Sequence, residues 1–458
     1  MGTKIIKSSQ MPRWHKLDNS AKIFPAASTV TTANVFRLAC VLTQPVQPQL
    51  LQQALEQTLP HFPAFAVRMR AGLFWYYFEQ NATIPAVMHE QMYPCAPMNR
   101  KENDGYLFRV LYHGERISLE TYHALTDGTG ALEFLQAIVS AYLHMAHGDS
   151  LKAQDVPPPV EPLNAAQLKD SYRDIYRKTR GFRPDTRKSY YIRGTNLPFT
   201  VVKVVHGVMD TSVLLARARE RKVTMTTLLS AMLIYNIYSE CLGGRASQQP
   251  IVISLPVNLR GVFGHRTALN FFECVNVGMT FDRSTYTFDE VLDHVKGQLA
   301  EQLDKDNLMA QNAYKVGFSR VLALRVVPLF LKNLVLGTIY RRGELTASTT
   351  LSNLGRIGVS EEQTPYIDRF EFTLSPTNEN HIKCAVCSFG RRMVVTFSSS
   401  IEQNDVQRAF FRSLAELGVA VTVEANYLYE HREHPSRRQN KGASGAQQKG
   451  ISNGKEER

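Results

Sequence analysis

A mixed α/β protein made of two sheet-and-helix lobes is expected from this chain. Strand-like and helix-like stretches alternate in both halves, which is the pattern of layered sheets and helices. A stretch rich in proline separates the halves, and 458 residues exceed the ~250–300 at which one hydrophobic core stops growing. Apolar residues make up 44% and charged residues 21%, an ordinary globular balance that excludes a largely disordered chain. No uninterrupted apolar run reaches the ~18 residues a membrane-spanning helix needs. Met1 to Lys16 lacks the apolar centre of a secretory leader. A cytoplasmic location is expected.

In the first half, Val35 to Leu42 reads as a strand. Pro48 then suits the first position of a helix whose apolar stripe is Leu51, Ala54, Leu55 and Leu59, stopped by Pro60. Ala66 to Phe78 holds two strand-like runs around Ala71–Gly72. Tyr106–Tyr112 and Arg116–Tyr122 form a hairpin turning at His113–Gly114–Glu115. The loop His123–Gly128 leads into a helix with Thr129 as its N-cap and Leu132, Leu135, Ile138, Val139, Tyr142 and Leu143 on one face.

The break in composition runs through Pro157, Pro158 and Pro159, an extended stretch, followed by a short polar helix from Ala165 to Arg180. The expected division is a first lobe over 1–160, a linker over 161–198, a second lobe over 199–430 and a basic, disordered tail over 431–458. In the second lobe Phe199–Val208 is a strand and Asp210 caps a short helix. Thr224–Leu242 is apolar nearly all round and so buried, ending at Gly243. Ile251–Val257 reads as a central strand. Further strands are expected at Asn276–Phe281, Arg369–Leu374, Ile382–Phe389 and Met393–Ser398. A last helix, Asp405–Leu417, stops at Gly418.

Six cysteines are too few for a disulfide scaffold in a chain of this length. Cys384 and Cys387 form a C-x-x-C within a strand, where residues three apart face opposite ways and cannot share a metal; they read as core residues. No metal is expected. The net charge is +12, of which His431–Arg458 supplies +4, leaving +8 on the body. That excess fits a phosphate-bearing ligand, an anionic membrane surface or nucleic acid, and most commonly a basic solvated surface. No aromatic-interleaved basic module is present, so no nucleic acid is expected.

The stretch with chemical content is His123-Ala124-Leu125-Thr126-Asp127-Gly128, set where a strand ends and a helix begins. Imidazole is largely neutral at pH 7, so His123 can act as a general base. Asp127 can fix the loop or the histidine, and Gly128 allows a close backbone turn. From composition alone, catalysis and a structural histidine both remain open.

Other segments add context. They are Trp14-His15-Lys16-Leu17-Asp18 with Phe24-Pro25; Leu50–Arg68 with Pro60-His61-Phe62-Pro63; and Thr224–Ala231. Leu255-Pro256-Val257-Asn258-Leu259-Arg260 with Asn270, and Ser352-Asn353-Leu354-Gly355-Arg356, complete the set. With H-x-x-x-D-G, and in this order, they resemble the superfamily of CoA-dependent acyltransferases that includes chloramphenicol acetyltransferase and peptide-synthetase condensation domains. The similarity is nearest to the bacterial alcohol-acetyltransferase-like branch and covers most of Trp14–Val423.

The resemblance implies two chloramphenicol-acetyltransferase-like lobes with a channel at their interface. It implies that His123 deprotonates an alcohol or amine acceptor, which attacks the acyl-CoA thioester directly. No Ser or Cys nucleophile lies beside His123 in the loop, in keeping with a ternary complex. Asp127 is then structural and pairs with Arg260, while Ser352 and Asn353 are the candidate oxyanion donors. Acyl-CoA is a co-substrate, with no permanently bound cofactor. Tyr122 stands where peptide-forming condensation domains carry a second histidine, and the plant branch's D-F-G-W-G motif is absent. Two other readings stay open: a free-standing condensation-like enzyme fed by a carrier protein, and a non-catalytic acyl-CoA-binding homologue. Finally, Val316–Tyr340 is apolar, broken by Pro328 and dotted with Arg320, Arg325 and Lys332. It reads as a cover for the channel or as a peripheral membrane contact. His144 and His147 read as surface histidines.

Overall fold

Three β-sheets organise the chain in a computed structural model that describes residues 14–29, 31–90, 93–99, 103–148, 169–178, 182–198, 201–319 and 326–426. Pro157–Pro159 and the 431–458 tail lie outside the described residues. The first-lobe sheet has five strands in the order Ile367–Leu374, Val35–Leu42, Arg116–Tyr122, Phe108–His113 and Met88–His89. Its neighbours are antiparallel except the last pair. The second-lobe sheet has seven, in the order Phe272–Met279, Ile251–Asn258, Thr349–Ile357, Ile382–Phe389, Arg392–Ser399, Lys203–Asp210 and Val421–Ala425. A small antiparallel sheet joins Trp14–Lys16, Tyr76–Gln80 and Val67–Ala71.

Two helices of the first lobe pack together, the longer of them against the sheet. Pro48–Thr58 starts on its proline and buries Leu51, Ala54 and Leu55, and a 3-10 turn over Leu59–His61 replaces it at Pro60. It packs against the long helix Gly128–His147, which lies on the sheet strands Val35–Leu42 and Arg116–Tyr122. Phe134 of that helix meets Phe65 at 4.1 Å, Phe62 at 5.0 Å and Phe108 at 5.2 Å between ring centroids. Burying each such ring contributes about 1.5–3 kcal/mol.

In the second lobe Met225–Leu242 is capped by the Thr224 hydroxyl, which accepts from the Thr227 amide, and ends on Gly243 at φ 60°. It is buried between the helices Phe288–Gln302 and Asp405–Glu416, the former opened by a Thr287/Glu290 capping box. Asp210 caps Thr211–Glu220 through the Ser212 amide.

Some local expectations shift. The N-cap of the long helix is Asp127, whose side chain accepts from Gly130, rather than Thr129. Of the polar helix expected over Ala165–Arg180, only Ser171–Asp174 is helical among the described residues. The strand expected at Asn276–Phe281 occupies Phe272–Met279. Ile251–Asn258 lies one place from the sheet edge and is not buried on both faces: Ile251, Ile253 and Leu255 enter the core, while Val252, Ser254 and Pro256 border a cavity. An apolar residue such as Val252 signals burial without saying whether core or cavity lies above it.

The lobes interlock. Ile367–Leu374, expected within the second lobe, instead pairs with Val35–Leu42 and completes the first sheet, packed across Ile382–Phe389 and Arg392–Ser399. Ile382–Phe389 is buried on both faces, with Cys384 in one hydrophobic core and Cys387 in the other. The first sheet also holds a buried charge cluster, on the face opposite Leu38, Val110 and Leu119. Glu120, with no exposed surface, accepts from Arg37 Nε at 2.8 Å, Arg109 Nε at 2.6 Å and the Cys95 amide at 2.7 Å.

Candidate active site

His123 follows directly on the strand Arg116–Tyr122, and its amide donates to the Asn34 carbonyl at 2.9 Å. The ring is clamped by aromatic side chains. Phe24 stacks on it at 4.5 Å, Phe36 meets it edge-on at 5.2 Å and Phe272 lies tilted at 5.3 Å. Nδ1 stands 3.1 Å from Asn270 Oδ1. An amide oxygen only accepts, so Nδ1 carries the proton and Nε2 keeps its lone pair. Burial lowers the pKa of His123, against smaller opposing effects from its own carbonyl, Asp127 and Asn270. The imidazole is therefore neutral at pH 7 and holds the basic form.

Asp127 is turned away from the ring. Its Oδ1 accepts from Gly130 at 3.1 Å, and its Oδ2 from Arg260 Nη1 and the Phe271 amide, both at 2.8 Å. Burial opposes its ionisation, but the Arg260 charge and these hydrogen bonds outweigh that and hold the carboxyl below its usual range. Arg260 uses its remaining donors on the carbonyls of Thr267 and Leu269 and on Asn258 Oδ1. Thr126 adds a 2.6 Å bond to the Ala268 carbonyl. The histidine loop is thus moored to residues 267–271 of the other lobe.

Gly128 does not adopt a positive φ. A Cβ there would meet the flexible Leu354 tip at 3.0 Å, whereas at Gly130 it would lie 2.2 Å from Thr126 Oγ1 and 2.9 Å from the Ala268 carbonyl. The close approach expected at Gly128 is required two residues later.

His123, Asp127, Gly128, Ser352 and Asn353 all border one cavity of 2050 Å³ between the lobes, and Arg260 stands behind Asp127. Val35, Phe36 and Phe372 line it from the first sheet and Val252, Ser254 and Thr350 from the second. The Asn353 side chain is committed where the strand bulges: its Oδ1 accepts from the Gly355 amide at 2.8 Å and its Nδ2 donates to the Thr226 hydroxyl at 3.1 Å. Arg183, Arg187, Lys188 and Lys315 border the same cavity, with Arg187 paired to Asp185 and Lys315 to Glu273, which line it too. Among the described residues no cluster of His, Cys, Asp or Glu has a metal-binding arrangement. His147 stacks on Tyr366 at 4.1 Å.

Asp18 and Asn270 were visible only as parts of motifs. The sequence assigned neither a role, because their partners lie far away along the chain. Asp18 is 1% exposed, and its Oδ2 accepts from Asn270 Nδ2 at 3.1 Å. Phe24 had the same standing.

No family model matches the chain, and no curated protein matches it. Solved structures match in fold. The first condensation domain of the calcium-dependent antibiotic synthetase, with a substrate analogue, aligns at TM-score 0.59 and 14% identity over 91% of this chain and all of that one (100%). The trichothecene 15-O-acetyltransferase TRI3 from Fusarium sporotrichioides aligns at 0.58 and 10%, over 91% and 97% of the two chains. TRI101 from F. sporotrichioides, complexed with coenzyme A and T-2, aligns at 0.57 and 12%, over 89% and 99%. This chain has the two-lobed mixed α/β fold of condensation domains and CoA-dependent acyltransferases.

Proposed function

We propose that the protein transfers an acyl group from acyl-CoA to the hydroxyl of a small acceptor, or to an amine, with His123 as general base. One observation carries the proposal. A neutral imidazole, held through Nδ1 and clamped by Phe24, Phe36 and Phe272, borders a cavity that both lobes line. Its free Nε2 takes the proton of the acceptor as the acceptor oxygen attacks the thioester carbonyl. The tetrahedral intermediate then collapses, expelling the CoA thiolate, which recovers the proton from the imidazolium. The loop offers no Ser or Cys beside His123, which favours direct transfer over an acyl-enzyme.

Ser352, buried and bordering the cavity, is the better-placed hydroxyl donor for the oxyanion, since the Asn353 side chain is occupied by Thr226 and Gly355. Asp127 and Arg260 hold the loop. Arg183 and Lys188, beside the Arg187–Asp185 and Lys315–Glu273 pairs at the cavity, suit the phosphates of CoA. Solved structures of the same fold that contain coenzyme A or an acyl-CoA support that donor.

The helix Leu329–Glu344 favours contact with a membrane or an oily substrate. Phe330 and Leu334 are 70% and 71% exposed, and the neighbouring Leu331 and Val335 border the cavity. Lys332 does not project outward: it lies over the Trp75 ring at 3.4 Å. No helix among the described residues is long and apolar enough to cross a membrane.

The test is acceptor-dependent release of free thiol from acyl-CoAs, acetyl to palmitoyl, offered with pooled alcohols and amines. Release that needs acceptor supports the reading; none across the panel from folded protein overturns it. A carrier-protein donor is the second reading, favoured by the likeness to condensation domains. Rates that fall when CoA lacks its 3′-phosphate favour CoA, whereas transfer only from an acylated carrier protein favours the alternative.

A further inference from the structure

Beyond the loop and the base, a buried acid acts on His123 at one remove. We propose that Asp18 is a positioning residue: through Asn270 it dictates which nitrogen of His123 carries the proton, and so keeps Nε2 basic. This rests on the reading of His123 as the base. Asp18 Oδ1 accepts from the Ala21 amide at 2.7 Å, while Oδ2 accepts from the Asn270 amide at 3.3 Å and from Asn270 Nδ2 at 3.1 Å. An ionised carboxylate has only acceptors, so Asn270 must turn its NH2 to Asp18 and its oxygen to His123 Nδ1. That oxygen accepts one proton, on Nδ1. Three side chains from the N-terminal segment, the 267–271 segment and the histidine loop thus form one polarised line, Asp18–Asn270–His123.

The arrangement also accounts for the N-terminal segment. Asp18 pins Ala21, and three residues later Phe24 stacks on the imidazole. The charged and titratable groups around Asp18 are Lys22 on its own segment, Asp170 and Tyr172 from the interlobe segment, with Arg173 close to Lys22 and Asp170. Asp127 lies on the far side of Asn270 and Phe271, already neutralised by Arg260. Burial, with Asp170 adding to it, raises Asp18 to about 7, against the bonds from Ala21 and Asn270 and the charge of Lys22. A protonated Asp18 becomes a donor, which invites Asn270 to rotate its oxygen to Asp18 and its NH2 to His123. The imidazole then has to place its proton on Nε2, where it cannot accept one from substrate.

Asp18→Asn removes the fixed preference at every pH, because its amide accepts on only one edge and can present NH2 to Asn270. Histidine labelled with 15N in the full chain reports the tautomer directly, with His123 assigned by its loss in His123→Ala. The expected result is Nδ1–H in the wild type above pH 7 and Nε2–H, or a mixture, in Asp18→Asn. With a working acyl acceptor, kcat is expected to fall roughly 10- to 100-fold with KM little changed, the scale on which partners that orient a functional histidine act. The acidic limb of the wild-type kcat profile near pH 7 is expected to vanish in the variant, leaving only a limb below 6.5 from the lowered pKa of His123.

If Asp18→Asn does not fold, Asn270→Ala removes the acceptor at Nδ1 and is read the same way, by tautomer and kcat. An unchanged Nδ1–H signal with wild-type kcat and an unchanged acidic limb overturns the proposal. The tautomer measurement needs no substrate, so it stands or falls separately from the acyl-transfer reading.

Discussion

Arg260 reaches from the second lobe to Asp127 Oδ2 at 2.8 Å, and the pair is nearly closed to solvent, with side chains 10% and 7% exposed. The contact ties the loop carrying His123 to the opposite lobe, so the site's geometry depends on how the lobes sit together. Asp127→Ala leaves a buried guanidinium without its counter-charge. A loss of about 3–5 kcal/mol is expected, the usual cost of breaking a buried pair from one side. Denaturant melts of Asp127→Ala and wild type check it.

The same pair predicts a pH dependence of stability. The folded-state pKa of Asp127 lies below its unfolded value of about 3.9. Its contribution is therefore fully present above that value and is lost as pH falls through the depressed folded pKa. Between pH 5 and 2, the wild type is expected to lose more stability than Asp127→Asn, measured as denaturation midpoints against pH.

Gly130→Ala is expected to damage the site more than Gly128→Ala. The first places a Cβ 2.2 Å from Thr126 Oγ1 and 2.9 Å from the Ala268 carbonyl, whereas the second meets a flexible leucine tip. Overpacking of this kind costs about 1–3 kcal/mol. Thermal melts and activity of the two variants side by side distinguish them.

Glu120→Ala is expected to destabilise the first lobe by about 3–5 kcal/mol, because Arg109 is left buried without its carboxylate partner and Arg37 keeps only Glu90. Glu120 does not border the cavity. Activity per folded molecule is therefore expected to stay near wild type below the melting transition.

The exposed apolar face predicts a separable effect. Replacing Phe330 and Leu334 together by Ser is expected to weaken binding to anionic lipid vesicles in a sedimentation assay. Neither side chain borders the cavity, so turnover of short, soluble substrates is expected to be unchanged.

Much of the local structure was legible because its causes are local. Thr224 and Gly243 bracket a buried helix through cap chemistry that two residues suffice to signal, and Pro48 does the same for the helix Pro48–Thr58. Where two capping residues compete, as Asp127 and Thr129 do, the choice rests on tertiary bonds that the sequence does not display. The placement of Ile367–Leu374 in the first sheet depends on a strand more than 300 residues away. At the site, the motif made His123, Asp127 and Arg260 readable. The relay did not announce itself, because Asp18 and Asn270 are 252 residues apart and meet only when the lobes close on each other.

The most direct test of the account is acceptor-dependent CoA release by wild type and His123→Ala, with folding of both verified by circular dichroism. The account predicts a drop of about 10²-fold or more in kcat for the variant, the scale of a lost general base. Equal rates in the two proteins would contradict the assignment of His123 as the base.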